Sequence, residues 1–372
     1  MREISQAIYK VNRSYAWNYA HAPALPRTRR LPPSPSATLL GYQLNSPIGI
    51  AAGPLLNSKW IDAYARLGFD VLTYSTVRSR FQPAHALPNI RHVETREQFA
   101  LAPRRPHLNG SPTIAVSMGI PSMDPEIWRK DMHRAKERLG AGQMLIASVL
   151  GTADPGGDAE SLIADYTRCA VWAAEAGADA IEVQLAAPNL FGEPGQMICE
   201  SIPLSAQILY RIRTTLSIPL IAKLGVFRTP RVLHETATKL APWVSAFSLV
   251  PSIPRRVLDE DGKAAFEGRE WADVVGASTY PVCARQVEEM IAWRKAGAWD
   301  HAILAIGGIT TVDRARELLA EGATAAMVDT AALYDPLFAV RFRQMILPAA
   351  MPLAKAAPER RPAPLAKKIA AR

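Results

Sequence analysis

Ile303-Leu-Ala-Ile-Gly-Gly-Ile-Thr-Thr311 and the segment that answers it, Ala325-Ala-Met-Val-Asp-Thr-Ala-Ala-Leu333, decide the fold. The first opens on an apolar run too short for a helix and reaches the paired glycines Gly307 and Gly308. It then enters the helical pattern Val312–Glu321 through Thr310-x-x-Asp313, with Gly322 just past its end. That order spells strand, tight turn and capped helix. A second short apolar run follows at once. Paired glycines let backbone come close to a ligand, and amides at a helix start attract anions, so the stretch reads as a phosphate cradle.

Working outward, the same unit recurs. Short apolar runs fall at 47–52, 71–75, 144–150, 180–185, 219–224, 246–250, 303–306 and 325–328. Helical patterns at 58–67, 159–176, 205–215, 231–240, 281–295 and Val312–Glu321 separate most of them. Gly68-Phe-Asp70, Gly177-Ala-Asp179 and Gly322-Ala323 each stop a helix and feed the next strand. Eight alternations of strand and helix argue for an α/β protein built as a (β/α)₈ TIM barrel, in which the loops after the last two strands commonly hold a phosphate. Residues 76–143, rich in Pro and Arg, read as an insertion between the second and third strands that walls the site. Ile4, Ile8, Val11, Tyr15 and Tyr19 recur at helical spacing, so 3–20 reads as an amphipathic helix on the barrel's outside. The expected domains are a helix and Pro-rich linker over 1–38, the barrel over 39–348, and a basic, disordered tail over 349–372.

The chain has 372 residues, 49% hydrophobic, enough for a large core. Its net charge of +9 sits at the ends: residues 1–30 carry +5 and residues 341–372 carry +7, which leaves the body at −3. A nucleic-acid groove needs that charge on the folded body, so nucleic acid is not an expected partner. Cys169, Cys199 and Cys283 are isolated, which suggests neither a disulfide framework nor an iron–sulfur cluster. With no signal-peptide run and no apolar span of membrane length, a cytoplasmic protein with no transmembrane segment is expected.

Read in order, the strand ends carry Ala52-Gly53, then Tyr74-Ser-Thr76 with Arg78 and Arg80, then Ser148, Gln184-Leu-Ala-Ala-Pro-Asn189, Lys223, Ser248 and Gly307-Gly308. This series resembles the FMN-binding barrel of dihydroorotate dehydrogenases and of the pyrimidine-reducing domain of dihydropyrimidine dehydrogenase. The resemblance rests on Ser46-Pro-Ile-Gly-Ile-Ala-Ala-Gly53, Ser117-Met-Gly-Ile-Pro121, Ile181-Glu-Val-Gln-Leu-Ala-Ala-Pro-Asn189, Gly195-Gln-Met-Ile-Cys199, Ile221-Ala-Lys-Leu224 and the two opening segments. It spans roughly residues 40–345, most of a barrel.

The resemblance implies FMN as cofactor. Lys223 would stand at the flavin N1/C2 carbonyl edge, with Ala52 and Gly53 against the ring. Thr76 and Ser248 would border the flavin, and Gly276, Gly307, Gly308, Thr330 and Ala331 would line its ribityl chain and phosphate. The plainer alternative for Lys223 is a barrel-end lysine paired with a carboxylate.

The substrate half departs from the family pattern. The catalytic Cys or Ser that precedes Pro-Asn is here Ala187, and a methyl group cannot take a proton. Substrate-binding positions read Val116, Gln184, Ala187 and Asn189; of the family's asparagines only Asn189 remains, with Ser248 at another of those positions. Tyr74, at a strand end, is the candidate replacement acid. Cys199 reads as packing rather than chemistry, His107 as a loop histidine, and Arg78 and Arg80 as either carboxylate binders or surface ion pairs.

The expectation is an FMN-dependent oxidoreductase of the CH–CH class, exchanging hydride at flavin N5 beside a carbonyl, on a small-molecule substrate other than dihydroorotate. Rivals are a dihydroorotate dehydrogenase with another base, a flavin-binding partner without turnover, and a flavin-free sugar-phosphate barrel. No Gly-x-Gly-x-x-Gly fingerprint is present. Reducing equivalents would therefore come from a second substrate at the same face or from a separate protein, an electron donor or acceptor, and a homodimer is expected by analogy.

Overall fold

The computed structural model describes residues 7–26, 30–105, 112–154, 156–193 and 195–346. Within them eight parallel strands close into a barrel: β1 (Ile48–Ile50), β2 (Val71–Val77), β3 (Met144–Val149), β4 (Ala180–Gln184), β5 (Leu220–Leu224), β6 (Ala246–Leu249), β7 (Ala302–Ile306) and β8 (Ala325–Val328), the last pairing back onto the first. Each of the eight apolar runs forms a barrel strand. Helices α1 (Ser58–Ala65), α2 (Pro125–Glu137), α3 (Ala159–Glu175), α4 (Ile202–Thr215), α5 (Pro230–Leu240), α6 (Tyr280–Lys295) and α7 (Val312–Glu321) cover the outside, and α8 (Thr330–Tyr334) and α9 (Phe338–Ile346) follow β8. The fold is the expected α/β, (β/α)₈ TIM barrel.

Local chemistry starts the helices where the chain needs them. Asn57 accepts from the amides of Lys59 and Trp60 to open α1, and Asp158 accepts from Ser161 N to open α3. For α7 the cap is Thr311, whose side chain accepts from Arg314 N, one residue later than the Thr310-x-x-Asp313 spacing indicates. Thr310 instead takes a hydrogen bond from the Arg314 side chain.

The insertion after β2 is one half of a larger device. Strands from it and from a second insertion between β6 and α6 join in a six-stranded sheet. Its order is Ile90–His92, Thr113–Val116, Trp271–Gly276, Ile253–Asp259, Phe99–Ala102 and Glu94–Thr95. The first insertion ends earlier than expected, because α2 is the barrel's second helix and lies inside 76–143. The second insertion was not anticipated, since its strands alternate charged and apolar residues too briefly to stand out.

The amino-terminal helix is shorter than its spacing suggests: among the described residues it covers only Tyr15–Ala20. The reason is local. The Asn18 amide donates back to the carbonyls of Lys10 and Ser14 while Lys10 N donates to its oxygen, which holds 10–14 as a turn ahead of a helix capped by Ser14. Ile8 N donates to Leu333 O, tying this arm to α8. His107 and the tail over 349–372 lie outside the described residues. Among the described residues no helix is long and apolar enough to cross a membrane.

The barrel interior changes character along its axis. Val71, Ile146, Ala180, Ile221, Ala246 and Met327 point inward as one apolar cluster. Side chains alternate along a strand, so the residues two places on share that face. They are Thr73, Ser148, Glu182, Lys223, Ser248 and Asp329. The first five are buried, and Asp329 is partly open. A polar ring thus lies across the carboxyl end of an otherwise apolar barrel, the end where barrel enzymes carry their sites.

Candidate active site at the carboxyl end of the barrel

At the centre of that ring Lys223 Nζ donates to Glu182 Oε1 at 2.9 Å, and Ser248 Oγ donates to Glu182 Oε2 at 3.0 Å. The lysine and glutamate side chains are 4% and 1% exposed. An ion pair this deep is poor evidence for stability, because desolvation offsets much of the attraction, so such a pair in a barrel mouth invites a functional explanation. The plainer sequence alternative holds as far as it goes: Lys223 is paired with a carboxylate.

A register shift in β2 between Tyr74 and Val77 re-aims the strand, and Thr76 turns into the mouth, where its hydroxyl and that of Ser148 are 3.0 Å apart. Gln184, paired in register with Lys223, closes the ring on the β4 side, its side-chain oxygen accepting from Ala186 N. Gly53, in the turn that follows β1, is exposed at the mouth. Ala52 beside it is buried.

Three loops meet beside this ring. Gly307 and Gly308 have positive φ and lie against protein: a side chain on Gly307 would strike the Val250 carbonyl and Cys283, and one on Gly308 the backbone of Tyr280. The glycines are therefore needed to seat β7's loop against the start of α6, which is a tighter reason than close approach of a ligand. Gly276, also at positive φ, ends its strand against Pro112 and Thr113. Arg314 locks this corner, its Nη1 donating to Gly308 O at 2.8 Å, Thr310 Oγ1 at 3.0 Å and Ala277 O at 3.2 Å, with the guanidinium 4.4 Å from the Tyr280 ring centroid. Two hydroxyls here, Ser278 Oγ and Thr330 Oγ1, are buried without a partner among the described residues. Buried polar groups are normally satisfied, so two orphaned donors beside Ala331 and the glycine loop suit the oxygens of a bound anion.

Other expected site residues lie elsewhere. Tyr74 is not in the mouth. It faces outward, 1% exposed, and its hydroxyl donates to Asp131 Oδ2 at 2.8 Å on α2, a carboxylate that also takes Ser58 N and Oγ. Burial and that carboxylate hold its phenol far above the usual range, and its hydroxyl is spent on a bond between β2 and α2. Val116 belongs to the insertion sheet, paired with Asp273 and Ile90.

Ala187 is buried and its carbonyl accepts from Ile198 N, while Asn189 donates to Gln196 Oε1 and accepts from Phe191 N, folding its own loop. Arg80 forms an exposed ion pair with Asp154. Arg78 spends its donors on Ile120 O and Thr152 Oγ1. Cys199 is fully buried, and burial pushes its thiol up to about 12, as packing requires. Among the described residues no group of His, Cys, Asp and Glu is placed to hold a metal ion.

Glu182, Asp329 and Arg314 were not singled out from the sequence. The signal for Glu182 was present: in Ala180-Ile-Glu-Val-Gln184 a charge sits mid-strand on the same face as Gln184.

A closed (β/α)₈ barrel with a buried lysine–glutamate pair across its carboxyl end, and with unpartnered hydroxyls at Ser278 before α6 and Thr330 after β8, is of the barrel-enzyme class. Comparison with known proteins narrows the class. A family model described as dihydroorotate dehydrogenase matches residues 35–347. The chain is 29% identical over 369 residues to a Dictyostelium discoideum protein named dihydroorotate dehydrogenase, covering 91% of this chain and 97% of that one. It is 26% identical over 318 residues to dihydroorotate dehydrogenase (quinone) of Clavibacter sepedonicus, covering 82% and 83%. It is 28% identical over 164 residues to the dihydroorotate dehydrogenase B (NAD(+)) catalytic subunit of Desulforudis audaxviator, covering 43% and 50%. The chain belongs to the dihydroorotate dehydrogenase family of oxidoreductases acting on CH–CH groups.

Proposed function

We propose that this protein is an FMN-dependent oxidoreductase that reduces or forms a carbon–carbon double bond beside a carbonyl, on a substrate other than dihydroorotate. The observation that carries the reading is the Glu182–Lys223–Ser248 set in the barrel mouth beside the Ser278–Thr330 cradle. Bound FMN would supply hydride exchange at N5. The chain's own contributions are then specific. Ser278, Thr330 and the loop at Gly307 and Gly308 would hold the phosphate end, and Lys223 would offer its charge to the ring edge. Glu182 and Ser248 fix where that lysine points. Thr76, Ser148 and Gln184 leave short polar groups, with no pyrimidine-type asparagine set, above the same floor.

Ala187 weighs against dihydroorotate. It offers no proton-transfer atom where the family places one, a loss worth about 10²–10⁴ in rate. The full-length similarity to proteins named dihydroorotate dehydrogenase favours the second reading, the same reaction with another base. A third reading, a flavin-binding partner without turnover, also rests on Ala187. The electron partner would be a second substrate or a separate protein, and we place the protein in the cytoplasm, as a homodimer, on analogy alone.

The test begins with the spectrum of the purified protein. It should be yellow and release FMN on denaturation, and a colourless preparation that ignores added FMN sinks the proposal. Dihydroorotate with a dye acceptor then separates the enzyme readings, since turnover would restore dihydroorotate as substrate. Flavin that no donor bleaches would leave only the non-catalytic reading.

A further inference from the structure

Asp329 is a charged group in the barrel mouth that the site described above does not use. It stands two residues beyond Met327 on the inward face of β8. A Cβ placed on Gly53 would lie 3.1 Å from both of its carboxylate oxygens, so the carboxylate spans the backbone of the β1 end. The charge that acts on it is Lys223, and Lys223 already has Glu182 as its partner. Two carboxylates therefore share one cation on the floor of the mouth. The Asp329 side chain, partly open at the mouth, has no hydrogen-bond partner among the described residues. Burial pushes its carboxyl up to about 6, with the Lys223 charge pulling the other way. Among the described residues Lys223 is the charge that acts on Asp329, the β1 end facing it with the uncharged Gly53, and Glu182 reaches it only through its pairing with Lys223.

Resting on the FMN reading above, we infer that Asp329 is a proton-exchanging acid in the floor of the flavin site, one that opposes electron uptake while ionised and takes a proton when the flavin is reduced. The balance is simple. A two-electron donor gives the flavin two electrons and N5 takes one proton, which adds one negative charge to the site. Asp329 then takes a second proton from solvent, and the net charge of the site returns to its oxidised value. An ionised Asp329 makes the reduced flavin a better donor, which favours saturation of a double bond over its formation.

The experiment is a dithionite titration of the FMN-loaded protein against a reference dye from pH 5 to 9, for the wild type and Asp329→Asn. The wild type should take up two protons per two electrons just above pH 6, and the variant one. At pH 8 the variant's dye–flavin equilibrium should lie at least tenfold toward reduced flavin. Equal slopes and equal equilibria in the two proteins overturn the inference. If Asp329→Asn does not fold, Asp329→Ser and the wild-type slope decide, and a wild-type slope of one proton from pH 6 to 8 overturns it too. Absence of FMN from the wild type would instead refute the functional reading and leave nothing here to titrate.

Discussion

Lys223 Nζ and Glu182 Oε1 stand 2.9 Å apart inside the barrel mouth, and neither side chain reaches solvent appreciably. Removing one partner strands the other charge, which costs about 3–5 kcal/mol, whereas replacing both by apolar groups of similar size is often neutral. Glu182→Leu and Lys223→Met are each expected to lower the urea midpoint sharply, and the double variant should recover most of the loss. The cycle also separates stability from chemistry, since the double variant should fold yet hold FMN with an altered absorption spectrum.

Arg314 gives a second handle. Its Nη1 ties Gly308 O to Ala277 O across two loops, and those loops carry Ser278 and the glycine turn. Arg314→Ala is expected to weaken FMN binding about tenfold, the worth of one charge-assisted hydrogen bond. Riboflavin, which lacks the phosphate, should bind both proteins equally. Flavin fluorescence quenching measures both affinities, and an equal loss for the two ligands would show that Arg314 supports the fold generally rather than the cradle.

Tyr74 is expected to matter for stability alone. Its hydroxyl bond to Asp131 joins β2 to α2 on the barrel's outside. Tyr74→Phe should cost about 1–2 kcal/mol, because Asp131 keeps its two bonds from Ser58, and should leave flavin content and spectrum unchanged. A change in flavin reduction rate without a change in stability would return Tyr74 to the list of catalytic candidates.

Ala187 tests the substrate assignment. Ala187→Cys restores the family's thiol at that position without enlarging the side chain by more than one atom. If the pocket still fitted dihydroorotate, turnover with a dye acceptor should rise by about 10²-fold or more. The expected result is no gain, because the ring beneath is Thr76, Ser148 and Gln184, and groups lost from a polar pocket are not replaced by restoring a base.

The barrel was legible because its signals are local and repeated. Eight short apolar runs, three of them entered from the stops at Gly68, Gly177 and Gly322, can be read one at a time, and all eight form barrel strands. The glycine turn was legible for a related reason, since Gly307-Gly308 and the helix behind them are contiguous. The orientation of Tyr74 was not legible because strand parity past a register shift cannot be read from residue order: one extra residue turned Thr76 inward, while Tyr74 kept its outward face. Asp329 was passed over because it was read as part of a matching segment. Its significance lies in nearness to Gly53 and Lys223, which are 276 and 106 residues away in sequence. The charged, half-apolar strands of the second insertion carry too weak an alternation to separate them from loop.

The raised Asp329 carboxyl also makes a prediction free of any cofactor. A carboxyl near 3.8 in the unfolded chain that rises to about 6 in the fold binds its proton more tightly when folded. Its contribution to stability is therefore complete below pH 3.8 and is lost as the pH climbs through 6, after which the fold bears an ionised group that it would rather keep neutral. The shift corresponds to roughly 3 kcal/mol at 1.36 kcal/mol per unit. Asp329 keeps part of its surface open, and screening brings the expected figure down to about 1–2 kcal/mol. Asp329→Asn in the flavin-free protein should accordingly melt higher than the wild type at pH 8 and match it near pH 4. Parallel melting curves across that range would show that the carboxylate is already solvated at the mouth, and that its charge costs the fold nothing.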